Sequence, residues 1–185
     1  MIFAEIKVAQ MAAYFLQRRG GRMAYLKLMK LLYLADREAM NRYSSTISED
    51  AHYSMPHGPV LSTTLNLMTG QIESQEWSSW IAPCANFEVA LNRQASSRDD
   101  FDELSESEIE VLESVWEQFG HLDRWQLVEY THEHIPEWRD PHGSSVPIDP
   151  RATFQALGRS PEEAEESTRE LRVSRSLGRV LAEYR

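Results

Sequence analysis

Apolar residues recur every three or four positions in the first part of the chain, which is the spacing of helices that bury one face. They predict a first helix over residues 2–18, stopped by Gly20 and Gly21. A second helix is predicted from Met23 to about Arg42. It is apolar around most of its circumference, so we expect it at the centre of a domain. Its remaining face is mostly basic and consists of Lys27, Lys30, Leu34 and Arg37.

The segment YSMPHGPV, residues 53–60, interrupts this pattern with two prolines around a His-Gly pair. Pro56 disfavours a helical conformation of the residue before it, so the preceding residues are predicted to be extended. Gly58 is predicted to cap a following helix, with Pro59 at its first position, where the missing N–H is harmless. We interpret the segment as a hinge between a short strand and a helix. His57 is either a turn residue or a functional one.

The next part of the chain predicts two short strands between Trp77 and Arg93, followed by capped helices. Phe87, Val89 and Leu91 alternate with other residues, which is typical of a strand. Two capping boxes then predict the starts of two helices, because each cap precedes a Glu or Gln by three positions. The two caps are Ser105 and Asp123.

The C-terminal part predicts a short helix over residues 150–157 and a long charged helix that follows Ser160. We expect the first half of the long helix to be solvated. The second half carries its apolar positions, so we expect it to dock on the domain or on a partner. Those positions are Leu171, Val173, Leu177, Val180, Leu181 and Tyr184.

Together these elements predict a mostly α (α+β) fold: a compact multi-helix domain with a small antiparallel β element and a long C-terminal helix. The 185 residues are enough for one core of ordinary size. We expect one domain over residues 1–158 and a charged C-terminal helix over residues 159–185 that packs on the same domain.

Composition narrows the class of protein. The single cysteine, Cys84, excludes an intramolecular disulfide, and Glu5 and Lys7 interrupt the apolar stretch that a signal peptide needs. No run approaches the roughly eighteen apolar residues of a membrane span. We therefore expect a soluble protein of the cytoplasm, where thiols stay reduced, with no membrane partner.

The net charge of −10 is unevenly distributed. Residues 1–43 carry eight Lys or Arg against three acids, whereas residues 99–117 carry nine acids and no base. Four glutamates of the latter segment follow spacings of four, three and four, so they form one acidic stripe on the predicted helix. Such a stripe is either a solvated face or an interface for a basic partner. The acidic stripe consists of Glu106, Glu110, Glu113 and Glu117 and lies opposite Ile109, Leu112, Trp116 and Phe119.

No motif of a known catalytic, nucleotide or metal site is found, so we expect no enzyme activity, no metal and no cofactor. His132 and His134 are two positions apart in a predicted helix and point to different faces, unlike the histidines of HExxH zinc sites. The basic first third leaves a nucleic-acid-binding regulator as an alternative, although the apolar second helix and the acidic composition disfavour it. That alternative would use Arg18, Arg19, Arg22, Lys27 and Lys30.

Three segments in this order make the chain resemble the Panacea domain family, the SocA-like antitoxins. They are LKLMKLLYLADRE, YSMPHGPVLSTTLNL and FGHLDRWQLVEYTHEHIPEW. The resemblance implies a mostly helical domain with a small β element, and an antitoxin that neutralises a cognate protein toxin by direct contact. It also implies that the chain can act as an adaptor that delivers the toxin to a Clp-type protease.

The residues that match the family motif divide into two groups. The first group is interpreted as structural and contains Leu31, Leu32, Tyr33, Gly58 and Pro59. The second group is expected to contact the partner, with the alternative that these residues also serve only the fold. It contains Lys27, Lys30, Asp36, Arg37 and His57, together with the acidic stripe.

Overall fold

A computed structural model describes residues 5–183, and the side chains of residues 5–177. Within residues 5–183, eight α-helices and six short strands confirm the mostly α (α+β) fold with a small antiparallel β element. The helices are α1 (Glu5–Arg19), α2 (Tyr25–Tyr43), α3 (Ser62–Met68), α4 (Gln75–Trp80), α5 (Glu106–Phe119), α6 (Arg124–His134), α7 (Pro150–Ala156) and α8 (Pro161–Glu183).

The strands form two small antiparallel sheets. They are β1 (Arg22–Ala24), β2 (His52–Met55), β3 (Gly58–Leu61), β4 (Ile81–Cys84), β5 (Glu88–Leu91) and β6 (Val146–Pro147). The strand order is β1-β5-β4 in one sheet and β3-β2-β6 in the other. Both sheets therefore combine a local hairpin with a third strand that comes from a distant part of the chain.

Helix α2 lies at the centre of the domain, as its sequence predicts. It packs against α1, α5, α6 and β3. Leu28, Leu31, Leu32 and Tyr33 are fully buried, and the helix ends at Ser44, which adopts a left-handed conformation. The structural interpretation of Leu31, Leu32 and Tyr33 therefore agrees with their positions in the core.

The segment YSMPHGPV forms a β-hairpin. Met55 pairs with Gly58, and the two residues between them are the turn. The prediction that Gly58 caps a helix and that Pro59 opens it is wrong, because both residues lie in β3 and α3 begins only after that strand. Gly58 has φ +94°, which lets the chain reverse directly after His57. Pro59 is tolerated because β3 is an edge strand, where a missing N–H leaves no ladder bond broken.

Besides β3, three further elements were not predicted from the sequence. They are β1, α4 and β6. The second helix begins at Tyr25 rather than Met23, because residues 22–24 pair with β5. Strands of only two or three residues are too short to show a periodic pattern of apolar residues, so their pairing with distant segments cannot be recognised from the local sequence. The predicted start of the first helix, residues 2–4, lies outside the described residues.

Helix α8 packs through its first half, so the prediction that this half is solvated is wrong. Ala164 and Leu171 form a small core cluster with Met40 and Phe154. Thr168 is also buried, so small side chains let α8 approach α7 closely. The prediction depends only on the larger apolar residues of the helix and therefore gives no weight to these small ones. In the second half Val173 and Leu177 are exposed. The side chains of Val180, Leu181 and Tyr184 lie outside the described residues.

Candidate functional site

Three charged residues of α2 are buried, and each binds a different part of the backbone: Lys27, Lys30 and Asp36. Lys27 is 7% exposed, and its Nζ donates to the carbonyl oxygens of Gly120 and Leu122, both at 2.7 Å. These carbonyls lie at the C-terminal end of α5 and in the turn that follows, where the helix leaves its last acceptors unpaired. Burial, and then the charge of Arg19, lowers the pKa of Lys27. Lys27 therefore holds the α5–α6 turn on α2.

Lys30 is fully buried, and its Nζ donates to the carbonyl oxygen of Pro59 at 2.7 Å. Burial lowers its pKa to about 7, because the charged ammonium has lost its water. The same contact explains the glycine before Pro59. A Cβ on Gly58 would lie 2.5 Å from Oγ1 of Thr131 and 3.0 Å from Nζ of Lys30. The hairpin can therefore seat on α2 and α6 only with glycine at this position.

Tyr33 and Arg37 both bind Glu137, which follows α6. The Tyr33 hydroxyl donates to Oε1 of Glu137 at 3.0 Å, and Nε of Arg37 donates to the same oxygen at 2.7 Å. The Glu137 carboxylate is inaccessible to solvent, so the ion pair is buried on its acidic side. Burial and the charge of Glu137 raise the pKa of Tyr33 well above its ordinary value. This cluster joins α2 to the segment that follows α6.

Asp36 organises the connection between α2 and β2. Its Oδ1 accepts the backbone N–H groups of Ile47 and Ser48, both at 2.9 Å. Its Oδ2 accepts the hydroxyl of Ser48 and lies 3.0 Å from Nε2 of His52. The His52 ring also packs edge-on against Tyr33 at 5.1 Å between centroids. The carboxylate thus fixes a loop that has no regular secondary structure of its own.

The Asp36, Ser48 and His52 side chains are the residue types of a hydrolase triad, but their geometry does not fit that chemistry. In a triad, the serine hydroxyl donates to the histidine and the histidine donates to the carboxylate. Here the Ser48 hydroxyl donates directly to Asp36, and His52 contacts the same carboxylate oxygen. All three residues are buried. Their role is therefore to satisfy one another.

The acidic stripe on α5 lies in solvent. All four of its glutamates are exposed, while Val111, Leu112, Val115 and Phe119 form the buried face. Two members of the stripe are paired within the chain. Glu106 lies 3.1 Å from Arg98 and Glu113 lies 3.4 Å from Arg18. Glu110 and Glu117 make no ion pair in the described part of the chain, so they carry its uncompensated charge.

A groove with basic rims lies beside the acidic stripe, between α1, β1 and the α5–α6 turn. We call it the basic groove; its volume is about 710 Å³ and its cations are Arg18, Arg19, Arg22, Lys27 and Arg124. Its acids are Glu88, which pairs with Arg22, and Asp123, which caps α6. Among the described residues, no acid lies within ion-pair distance of Arg19 or Arg124. The nucleic-acid alternative loses two of its five residues here, because Lys27 and Lys30 are buried.

Exposed aromatic side chains flank the basic groove. Trp125 follows the groove residue Arg124, is 54% exposed, and contacts the exposed ring of His57 edge-on at 5.7 Å between centroids. Phe87 lies between the groove residues Asn86 and Glu88 and is 74% exposed. Phe87 was expected within a strand, but it lies in the β4–β5 turn with φ +60°. That conformation is unusual for a bulky side chain, so this turn is strained.

Comparison with known protein families shows to which family this chain belongs. A family model described as antitoxin SocA-like, Panacea domain, matches residues 28–139. This range is more than half of the chain. The chain belongs to the SocA-like antitoxin family. A comparison with curated proteins finds no match, and neither does a comparison with solved structures.

The matched range of the Panacea domain begins in the first turn of α2 and ends in the segment that follows α6. It contains four buried Lys, Asp or Glu residues, namely Lys30, Asp36, Asp50 and Glu137. It also contains the whole acidic stripe and Trp125. Membership in an antitoxin family indicates a non-enzymatic regulator that binds another protein.

The described residues lack the features of two other classes of protein, membrane-spanning and metal-binding. No helix there is long and apolar enough to cross a bilayer. No group of three or more His, Cys, Asp or Glu side chains there is arranged to hold a metal ion. His132 and His134 lie apart in the Panacea domain, since His132 stacks on Trp138 and His134 stacks on Tyr130.

Sequence reasoning missed several residues that shape this region of the Panacea domain. Asp50 is buried and accepts the backbone N–H groups of Thr63 and Thr64, so it caps α3 from a distant loop. No local spacing could have revealed it. Trp125 could have been found, because it lies two positions from the buried Leu127 and hence on the opposite side of α6.

Proposed function

We propose that this antitoxin neutralises a cognate protein toxin by direct contact, without a catalytic step. The observation that carries the proposal is the match of residues 28–139 to the SocA-like antitoxin family. We place the activity in the cytoplasm, where a lone thiol such as Cys84 stays reduced.

The distribution of charge supports a contact through the acidic stripe rather than through the charged residues of α2. Lys27, Lys30 and Asp36 are buried and occupied by partners within the chain, so they cannot reach a toxin without local unfolding. Arg37 is mostly engaged with Glu137. Glu110 and Glu117 are exposed and unpaired in the described part of the chain, and a basic toxin surface would be attracted to them.

Among the motif residues of the partner-contact group, His57 is exposed, whereas Lys27, Lys30 and Asp36 are buried and Arg37 is partly buried. His57 lies at the hairpin tip against Trp125. We propose that the hairpin tip forms the edge of the toxin interface, because tryptophan is over-represented among residues that dominate binding energy. His57→Ala should leave the melting temperature unchanged and weaken toxin binding. A variant that binds the toxin like the parent would restrict His57 to a turn role.

Co-expression with the gene that lies beside this one tests the proposal directly. We expect the neighbour to arrest growth when expressed alone, growth to recover when this chain is co-expressed, and the two proteins to elute as one complex in size exclusion. A neighbour that is harmless alone, together with separate elution of the two proteins, would contradict the proposal.

The adaptor role is a separate proposal and needs a separate measurement. We propose that this chain also delivers its toxin to a Clp-type protease, as the family resemblance implies. The half-life of the toxin in cells should then shorten when this chain is present, and only in cells that contain the protease. Neutralisation with an unchanged toxin half-life would leave direct masking as the whole mechanism.

A further inference from the structure

We propose that the basic groove is a docking site for a short acidic segment of a partner protein. The groove is basic although the chain as a whole is acidic. The chain has a net charge of −10, whereas five cations and only two acids line this groove. Both acids are already engaged, Glu88 with Arg22 and Asp123 with the N-terminus of α6. Arg22 pairs with Glu88 and Arg18 with Glu113, so the cationic charge that has no counterpart in the described part of the chain is that of Arg19 and Arg124.

Two arginines of the groove are available for a ligand. Arg19 and Arg124 are exposed, and among the described residues neither has an acid within ion-pair distance. The Arg124 guanidinium lies 5.5 Å from the centroid of the Trp125 ring, so it is held over an aromatic face. A guanidinium binds a carboxylate through two parallel N–H groups, which makes these two side chains suited to Asp and Glu.

The aromatic rims add an apolar component to the site. Trp125 and Phe87 are exposed and directly follow the groove residues Arg124 and Asn86 in the chain. Tryptophan and arginine are the residues most enriched where protein interfaces concentrate their binding energy. The left-handed conformation of Phe87 keeps a large apolar ring in solvent at the expense of strain, which is typical of ligand-contacting turns. An acidic segment that also carries an aromatic or apolar residue would satisfy both components.

The surroundings of the groove favour a short acidic peptide over a nucleic acid. A nucleic-acid backbone presents a phosphate charge every few ångströms and extends well beyond one groove. Beyond Arg18 it would meet the acidic stripe, since Arg18 lies 3.4 Å from Glu113. The volume of about 710 Å³ is within the range of pockets that enclose a small ligand or the side chains of a short segment.

This inference does not depend on toxin neutralisation. The acidic stripe suits a basic surface and the basic groove suits an acidic one, so the two faces would bind different segments. The groove can be tested on the purified chain alone. Its failure would leave the proposed antitoxin contact untouched, and failure of the antitoxin contact would leave the groove untouched.

The test is fluorescence anisotropy with a short labelled peptide in which Asp and Glu flank a single Phe. The groove variant is Arg19→Gln combined with Arg124→Gln. The matched control is Arg139→Gln combined with Arg169→Gln, which removes two exposed arginines that lie outside the groove and make no ion pair in the described part of the chain. We expect the groove variant to bind the peptide about tenfold more weakly than the parent at low salt, and the control to bind like the parent.

Two further measurements keep the result specific. Trp125→Ser should weaken binding of the Phe peptide more than binding of a peptide with Ser in place of Phe, because the ring contacts the Phe and also supports Arg124. A labelled oligothymidylate should bind more weakly than the acidic peptide. No peptide binding at low salt, equal losses in the groove and control variants, or tighter binding of the oligothymidylate would each overturn the proposal. Melting temperatures close to that of the parent verify that every variant is folded.

Discussion

Helices α2 and α5 both carry a row of like-charged residues, and only the row on α5 lies in solvent. On α2 the lysines are buried and donate to the carbonyl oxygens of Gly120, Leu122 and Pro59. On α5 the acidic stripe is exposed along its whole length. The two helices differ in what surrounds them, because α2 is enclosed by other elements whereas α5 packs on one side only.

The difference shows that charge spacing alone does not separate a surface from an interior. A long lysine side chain can cross an apolar layer and reach a carbonyl that its own helix leaves unpaired. Charged residues of α2 therefore act as fold determinants, whereas those of α5 remain available for binding. The following substitutions test this contrast between the two helices.

The largest effect is expected for Asp36→Ala. It would leave two buried backbone N–H groups and the Ser48 hydroxyl without an acceptor, and we expect a loss of about 3–5 kcal/mol in the free energy of unfolding. The matched control is Asp100→Ala, because Asp100 also accepts two backbone N–H groups, from Ser96 and Ser97, but at the surface. Urea unfolding should give a clearly smaller loss for the control. Equal losses would mean that burial of Asp36 is unimportant.

A smaller loss is expected for Gly58→Ala. The new Cβ would be forced against Thr131 Oγ1 in a left-handed conformation, which should destabilise the fold by about 3 kcal/mol. Gly143→Ala is the control, because Gly143 also has a positive φ but has no atom within 4 Å of the new Cβ. Its loss should be about 1 kcal/mol, from backbone strain alone. Indistinguishable thermal unfolding of the two variants would show that the hairpin can move away from α2.

The buried lysine should make stability depend on pH. The pKa of Lys30 is about 7 in the folded chain and lies below its ordinary value of 10.5. Between these two pKa values the unfolded chain binds one more proton than the folded chain, so the free energy of unfolding should rise with pH. Below pH 7 both states are protonated at Lys30, and this contribution should no longer depend on pH. Relative to Lys30→Met, the parent should gain about 2 kcal/mol between pH 7 and 9. Parallel stability curves for the two proteins over this range would contradict the assigned burial of the ammonium.

The smallest effect is expected on α5. Glu110→Gln combined with Glu117→Gln should leave the free energy of unfolding within about 0.5 kcal/mol of the parent. If the stripe attracts a basic toxin, association should slow a few-fold at low salt and the difference should vanish at high salt. Glu166→Gln combined with Glu170→Gln on α8 is the control for net charge, since both residues are exposed. Stopped-flow rates that match for the two double variants would identify the stripe as a solvated face.

Elements with local signals were predictable from the sequence, and those built by distant contacts were not. The capping boxes at Ser105 and Asp123 correctly marked the starts of α5 and α6, since cap and partner are three residues apart. The hairpin was mistaken for a helix start because Gly58 and Pro59 are also favoured at helix N-termini. Only the pairing of β2 with β3 distinguishes the two interpretations.

The same contrast between local signals and distant contacts decides whether the exposure of a candidate site residue could be predicted. The acidic stripe could be predicted as one face of a helix, because its spacing is a property of that helix alone. The burial of Lys27 and Lys30 could not, because their acceptors are backbone carbonyls, which every residue type supplies. The sequence marked Arg18, Arg19 and Arg22 only as residues of a nucleic-acid-binding alternative, and Arg124 joins them only in the folded chain.

The long sequence separation of the contacts made by α2 bears on how the protein is synthesised. Lys27 is separated from Gly120 by 93 residues, and Tyr33 from Glu137 by 104. At a translation rate of about 5–20 residues per second, α2 would leave the ribosome roughly 5–20 s before its last partners exist. During that interval α1 and β3 can pack on α2, but the surface that α5 and α6 later cover stays exposed. We expect the nascent chain to be open to proteases and chaperones until the residues after α6 emerge, so a newly made copy becomes able to bind only after that point.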